Sequence, residues 1–333
     1  MWKRLSQAVD MGAVSVPESA TWLMIDPAEP PLIPELDPNA THTLTRSATR
    51  HGTMDRAGFL SHTNDPSQLY DVAVVCLGRA RAANKMRIGQ AMHWAKPGGL
   101  VLVDGQKTDG VESLRRECDE HAPVLDSFSK SHGRLFWMHA DPDLFADWRA
   151  LPATWPEVDG FRTGPGVFSA DGIDPGSKYL TQHLPDDLTG PGADLGAGWG
   201  YLSKYVLGSA GVAELHLVED DRIALDAANA NVDDSRAHFH WADVTAWIPP
   251  EPLDFVVMNP PFHAGRDVDL GLSRDFIATA AQSLKRSGVL WLVANRHLPY
   301  EACLDSHFAS VKEIAAGQGY KVLRATAPKG RRP

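Results

Sequence analysis

Near the middle of the second half, the run Asp254-Phe-Val-Val-Met258 leads into Asn259-Pro260-Pro261-Phe262, and these residue types together can grip a planar amine. Proline fixes φ and pushes the residue before it out of the helical region, so Asn259 and Pro260 are held extended. The Asn259 carboxamide oxygen and the Pro260 backbone carbonyl can then both accept hydrogen bonds from one –NH2 group. The face of Phe262 offers a stacking surface for the ring that carries it. This device suits chemistry on an exocyclic amine or amide nitrogen. The competing reading is an ordinary Pro-rich turn after a strand. His263 follows at once and invites a general-base role. However, an aromatic amine needs exposing and aiming more than it needs a base, so His263 reads as a shaping or substrate-contact residue, and Pro261 likewise.

A second motif lies upstream, Ala193-Asp-Leu-Gly-Ala-Gly-Trp-Gly-Tyr201, followed by a helix-compatible run and Glu214-Leu-His-Leu-Val-Glu219. Apolar strand, glycine turn, helix and a strand ending in an acid open a doubly wound nucleotide-binding sheet. Gly196, Gly198 and Gly200 allow tight turning and close approach of backbone to a ligand. Glu219, at the end of the second strand, can accept from both hydroxyls of a ribose. A dinucleotide dehydrogenase would need a third glycine where Tyr201 stands. Asp194 would also repel a pyrophosphate, but it would welcome a ligand carrying an ammonium and a sulfonium. S-adenosylmethionine fits both points. Trp199 and Trp241 could flank it, with core packing the alternative.

These motifs must be positioned by an alternating α/β fold, and 333 residues are enough for about two such domains. Expected strands in the second half are 191–195, 213–219, 237–241, 253–258 and 288–294, with an antiparallel hairpin at 310–316 and 319–325. In the first half the pattern is sharp from Asp71, with strands at 71–77 and 99–104 and helices at about 80–95 and 109–120. The first 65 residues show only a short strand at Trp22-Leu-Met-Ile25, followed by scattered prolines. Lys96-Pro-Gly-Gly-Leu-Val-Leu-Val103 echoes Lys285-Arg-Ser-Gly-Val-Leu-Trp-Leu-Val293, which points to an internal duplication.

The set of motifs resembles the ribosomal RNA guanine-N2 methyltransferases, above all the small-subunit (16S) enzymes. It is carried by Gly166-Val-Phe-Ser-Ala-Asp-Gly-Ile-Asp-Pro-Gly-Ser177, the glycine loop, Asn259-Pro-Pro-Phe-His263, Val293-Ala-Asn-Arg-His-Leu-Pro-Tyr300 and Gly319-Tyr-Lys-Val-Leu-Arg-Ala325. The likeness covers about residues 160–328, with a fainter echo at Tyr70–Val75 and Gly98–Gly105. It implies two tandem Rossmann-like methyltransferase domains: a degenerate one at 1–150 with a structural or RNA-binding role, a linker at 151–165, and a catalytic seven-stranded class I domain at 166–330. It implies transfer from S-adenosylmethionine to a guanine N2 amine. The stretch around Phe168, Ser169, Asp174 and Ser177 then lines the methionine side of the cofactor, with Ser177 as a cofactor contact and Phe168 as a substrate contact. Asp243 meets the adenine amine, although Asp243 could equally cap the helix that follows. The same Asn-Pro-Pro-aromatic loop also serves adenine-N6 and glutamine-amide methyltransferases. A non-catalytic ribosomal RNA assembly factor on this scaffold is a further alternative.

Composition bounds the partners. The net charge is −10, with 17 basic and 21 acidic residues in 1–165 and 15 and 21 in 166–333. Neither half is a basic domain, so a shaped ribonucleoprotein suits this chain better than naked RNA. Arg79, Arg81, Lys85 and Arg87, or the basic residues from Lys321 to Arg332, could grip phosphates or simply form solvated faces. No apolar run reaches the roughly 18 residues that span a bilayer. The start Met1-Trp-Lys-Arg-Leu lacks a signal-peptide core, and Cys76, Cys118 and Cys303 show no disulfide or metal spacing. The expectation is a cytoplasmic monomer without a metal.

Overall fold

The computed structural model describes the chain apart from residues 1, 32, 34–35, 151, 262–269 and 330–333. It divides into two compact units, Met1–Trp155 and Pro156–Pro333.

In the first unit, helix α1 (Trp2–Asp10) precedes strand β1 (Trp22–Ile25), β2 (Thr41–Leu44), helix α2 (Ala48–Arg56), β3 (Leu60–His62), β4 (Tyr70–Cys76), α3 (Arg81–Trp94), β5 (Ala95–Gln106), α4 (Val111–His121), β6 (Asp126–Lys130) and β7 (Gly133–His139). The seven strands form one sheet in the order β3-β2-β1-β4-β5-β7-β6. The first five run parallel, and β7 is antiparallel to both its neighbours.

In the second unit the elements are β8 (Glu157–Val158), β9 (Phe161–Arg162), α5 (Pro175–Thr181), β10 (Gly190–Leu195), α6 (Tyr201–Val206), β11 (Val212–Glu219), α7 (Arg222–Asn231), β12 (Ala237–Trp241), β13 (Leu253–Met258), α8 (Leu270–Ser283), β14 (Leu284–Asn295), α9 (Tyr300–His307), β15 (Phe308–Gly317) and β16 (Tyr320–Pro328). The sheet order is β12-β11-β10-β13-β14-β16-β15, the same topology strand for strand. Both expected methyltransferase-like sheets are therefore present, and the expected hairpin is β15–β16. Its turn uses Gln318 and Gly319 with φ of 53° and 84°, the left-handed pair that matches strand twist.

The central strands read as continuous apolar runs because both faces are covered. Ala193, Leu195, Val256 and Met258 pack into one buried cluster, and Leu217, Phe255 and Val257 into the cluster on the opposite face. The helices start where short polar side chains cap them. Asp221 accepts from the Ile223 amide at 2.7 Å to begin α7, and Asp174 with Pro175 begins α5. In the range 151–165, the β8–β9 hairpin is tied to α7. The Asn231 side chain accepts from the Arg162 amide (2.7 Å) and donates to the Arg162 and Trp199 carbonyls (both 2.8 Å).

Candidate active site

A cleft opens beyond the carboxyl end of β10, lined by Phe168, Ser169, Asp174, Ser177, residues of the Gly196–Leu202 turn other than Gly200, and Asn259. This is where an open α/β sheet places its ligand. Gly196, Gly198 and Gly200 have φ of 75°, 55° and 89°, a conformation that side-chain-bearing residues adopt rarely. Gly200 also sits where a Cβ would meet Val232 at 3.0 Å and Ala228 at 3.2 Å, so the turn can close only on a bare backbone.

Two carboxyls hold this turn. Glu219 accepts from the Gly198 amide at 2.8 Å and from the Asp221 amide at 2.9 Å, pinning the tip of the turn to the end of β11. Its burial pushes the carboxyl up to about 7. Asp194 is fully buried, and one oxygen accepts from the Ser203 hydroxyl at 2.7 Å. The other is buried with no hydrogen-bond partner among the described residues, and burial likewise raises this carboxyl to about 7. An orphaned buried carboxylate oxygen is costly unless something completes it. A cationic ligand above the turn would do so, and the residues present therefore fit S-adenosylmethionine.

Asn259 follows directly after β13 and lines the same cleft. Its Nδ2 donates to Asp174 at 2.8 Å and to the Ser177 hydroxyl at 2.9 Å, while no described residue donates to its Oδ1. Pro260 is buried behind it, and the Pro261 carbonyl accepts from Ser273, whose hydroxyl in turn accepts from Tyr300 at 2.9 Å. Phe168 stands 59% exposed, and its carbonyl accepts from the Trp199 indole at 3.1 Å.

A family model described as methyltransferase small domain matches residues 159–324. A ribosomal RNA small subunit methyltransferase C from Acinetobacter baylyi is 35% identical over 79% of this chain and 80% of its own length. One from Salmonella choleraesuis is 32% identical over 68% of this chain and 67% of its own. The chain belongs to the ribosomal RNA small subunit methyltransferase C family. Its fold is also that of a solved T. thermophilus 16S rRNA N2 methyltransferase in complex with AdoMet and guanosine, with a TM-score of 0.78 at 24% identity over 98% of this chain and 91% of that one.

Within this family member, Asp174, Ser177, Phe168, Gly196, Gly198 and Asn259 come together around one cleft, while Gly200 packs against Val232 and Ala228 instead of lining it. Asp194 and Glu219 stand directly beneath the turn. Asp243 caps a short 3-10 helix, with its Oδ1 accepting from the Thr245 amide at 2.8 Å and hydroxyl at 2.7 Å. Phe262 and His263 lie outside the described residues. Sequence reading missed Ser203, Ser273 and Tyr300, because a hydroxyl that serves another side chain leaves no spacing signature. Among the basic clusters, Arg81 and Lys85 both pair with Glu117 and Arg87 pairs with Asp26, so that stretch is largely neutralised. Lys321 is 2.5 Å from Glu301. Among the described residues no helix is long and apolar enough to cross a membrane.

Proposed function

We propose that this chain methylates the exocyclic N2 amine of a guanine in small-subunit ribosomal RNA, using S-adenosylmethionine held over the glycine turn. The observation that carries this reading is the orientation of Asn259. With both amide hydrogens committed to Asp174 and Ser177, the carboxamide faces the cleft as an acceptor. Asn259 Oδ1 and the Pro260 carbonyl accept the two hydrogens of the base amine and fix its nitrogen. Phe262, and the exposed ring of Phe168 at the cleft, stack the base once it leaves its helix, at a cost of a few kcal/mol. Glu219 accepts from the ribose, Asp194 compensates the positive charge, and Asp243 meets the adenine. The cofactor supplies an electrophilic methyl group on a sulfonium. The protein contributes alignment, which turns a bimolecular displacement into a unimolecular one and supplies several kcal/mol. The product proton leaves to water.

In this proposal the first unit binds no cofactor and serves as scaffold or RNA contact. The enzyme acts as a cytoplasmic monomer on the assembled small subunit rather than on naked RNA, in keeping with its −10 charge. Tritiated S-adenosylmethionine with subunits from a strain lacking this gene tests the reading. The expected label is N2-methylguanosine in small-subunit RNA. Label in N6-methyladenosine or in protein would overturn the base assignment. Stoichiometric cofactor binding without transfer would favour an assembly factor.

A further inference from the structure

The amide of Asn259 can present either its oxygen or its –NH2 to the cleft, and only the oxygen accepts from an amine. Something must select between these two faces, which differ by a half-turn of one terminal bond. The carboxylate of Asp174 can only accept, and its Oδ2 lies 2.8 Å from Asn259 Nδ2. The Ser177 hydroxyl accepts from the same nitrogen at 2.9 Å. Both acceptors are themselves fixed. Asp174 caps α5, accepting from the Ser177 amide at 2.7 Å through the same Oδ2, and Ser177 is 8% exposed in the first turn of that helix. The turn is crowded from behind. A Cβ on Gly176 would approach Asp174 Oδ2 and the Tyr320 ring to 3.0 Å each, so the helix start packs closely around the Asp174 carboxylate.

We infer that Asp174 and Ser177 are positioning residues that lock the Asn259 carboxamide with its oxygen toward the substrate, and thereby select an amine donor as the reacting group. This rests on the functional reading above, and it assigns the α5 cap a role in the reaction rather than in cofactor binding. Flipping the amide would place an N–H donor against the substrate amine, with two donors facing each other. Aspartate at 174 therefore does two things at once: it starts the helix, and it polarises and orients the acceptor that follows β13.

Three proteins test the inference: wild type, D174A and D174N. Asparagine keeps both the helix cap and an acceptor oxygen, whereas alanine keeps neither. The expected result for D174A is a kcat about 100-fold lower with S-adenosylmethionine affinity within about twofold of wild type, and recovery of most of that loss in D174N. Equal losses of kcat and cofactor affinity in D174A, or a D174N enzyme no better than D174A, would overturn it. The Asn259 side-chain amide, followed by nitrogen-15 NMR hydrogen exchange, gives a readout that needs no RNA. Its protons should exchange slowly in wild type and much faster in D174A, and equal exchange in the two would overturn the inference. A wild-type protein with a slow-exchanging amide that puts no methyl on guanine would count against the functional reading and leave the lock intact.

Discussion

The two sheets of this chain share one strand order, and register lets them be laid residue on residue. Leu23 pairs with His42 and Ala73 in the first, and Ala193 pairs with His216 and Val256 in the second. On that alignment much of the framework repeats. Lys96 reaches Asp71 at 2.7 Å, and at the matching place Lys285 reaches Asp254 at 2.8 Å, each beside an irregularity in the same strand pairing. His42 Nδ1 lies 3.0 Å from His62 Nε2, and His216 Nδ1 lies 2.9 Å from His240 Nε2, with ring planes tilted by 48° and 46°. The cleft residues do not repeat. Met24 stands where the second sheet has Asp194, Asp26 where it has Gly196, Thr45 where it has Glu219, and Cys76 where it has Asn259.

Asp26 retains the left-handed backbone of its glycine counterpart, with φ of 54° against 75°, yet its carboxylate pairs with Arg50 at 2.7 Å, with Arg87, and with the Thr45 hydroxyl at 3.2 Å. The region that would receive a ligand holds an ion-pair network instead. Cys76 is buried, and burial pushes its thiol well above the ordinary cysteine range, so it offers neither acceptor nor nucleophile. The comparison teaches that the fold is set by ladders, edges and strand starts, while the chemistry is set by a handful of positions at the strand ends.

Paired substitutions sharpen that contrast. The largest effect is expected at Asn259. N259A should lower methyl transfer by more than about 100-fold with cofactor affinity almost unchanged, since it removes the proposed acceptor of the substrate amine. C76A, its counterpart, should leave transfer at the wild-type rate. Single-turnover transfer and calorimetric titration on both proteins check this, and a matching loss in C76A would break the comparison.

The next effect is on stability. Arg4 holds Asp104 by two hydrogen bonds of 2.6 and 3.1 Å, with both side chains buried. Removing one partner of such a pair typically costs about 3–5 kcal/mol because a buried charge is left alone. R4M should therefore shift the urea unfolding midpoint of the first unit downward while S-adenosylmethionine affinity holds its wild-type value.

The smallest effect is a pH dependence. Asp194 and Glu219 are both pushed up to about 7 by burial, against ordinary carboxyl values near 4. Between those limits the fold keeps a proton that the unfolded chain releases. Their contribution to stability is thus full below about pH 4 and is lost as pH rises through 7. A cationic ligand favours the ionised form, so cofactor affinity should strengthen as pH climbs from 6 to 8. The slope should be at most about tenfold per unit for each group. Calorimetry across that range on wild type and D194N should show a shallower slope in the variant.

Sequence alone revealed the second sheet almost strand for strand, because its apolar runs are long and its glycine turn and Asn-Pro-Pro loop are sharp. It also revealed the duplication, through the Lys96 and Lys285 segments that became β5 and β14. It could not read β2, α2 and β3. Thr-His-Thr-Leu and Leu-Ser-His carry too few apolar residues, and the sheet accepts them through the parallel ladders β1–β2 and β2–β3. The strand at 71–77, where the pattern becomes sharp, is the fourth of its sheet in chain order. The first is Trp22–Ile25, and its turn begins with Asp26. Helix α8 ends at Ser283, because Leu284 already pairs with Leu253. The link from Asp174 to Asn259 spans 85 residues, so no local pattern could announce it.

The claim that one half of a duplicated fold retains the cofactor site is tested most directly by calorimetric titration of the full chain with S-adenosylmethionine. One site per chain is expected, weakened roughly tenfold or more by E219A and untouched by C76A. Two sites per chain, or a single site that survives E219A and disappears in C76A, would contradict it.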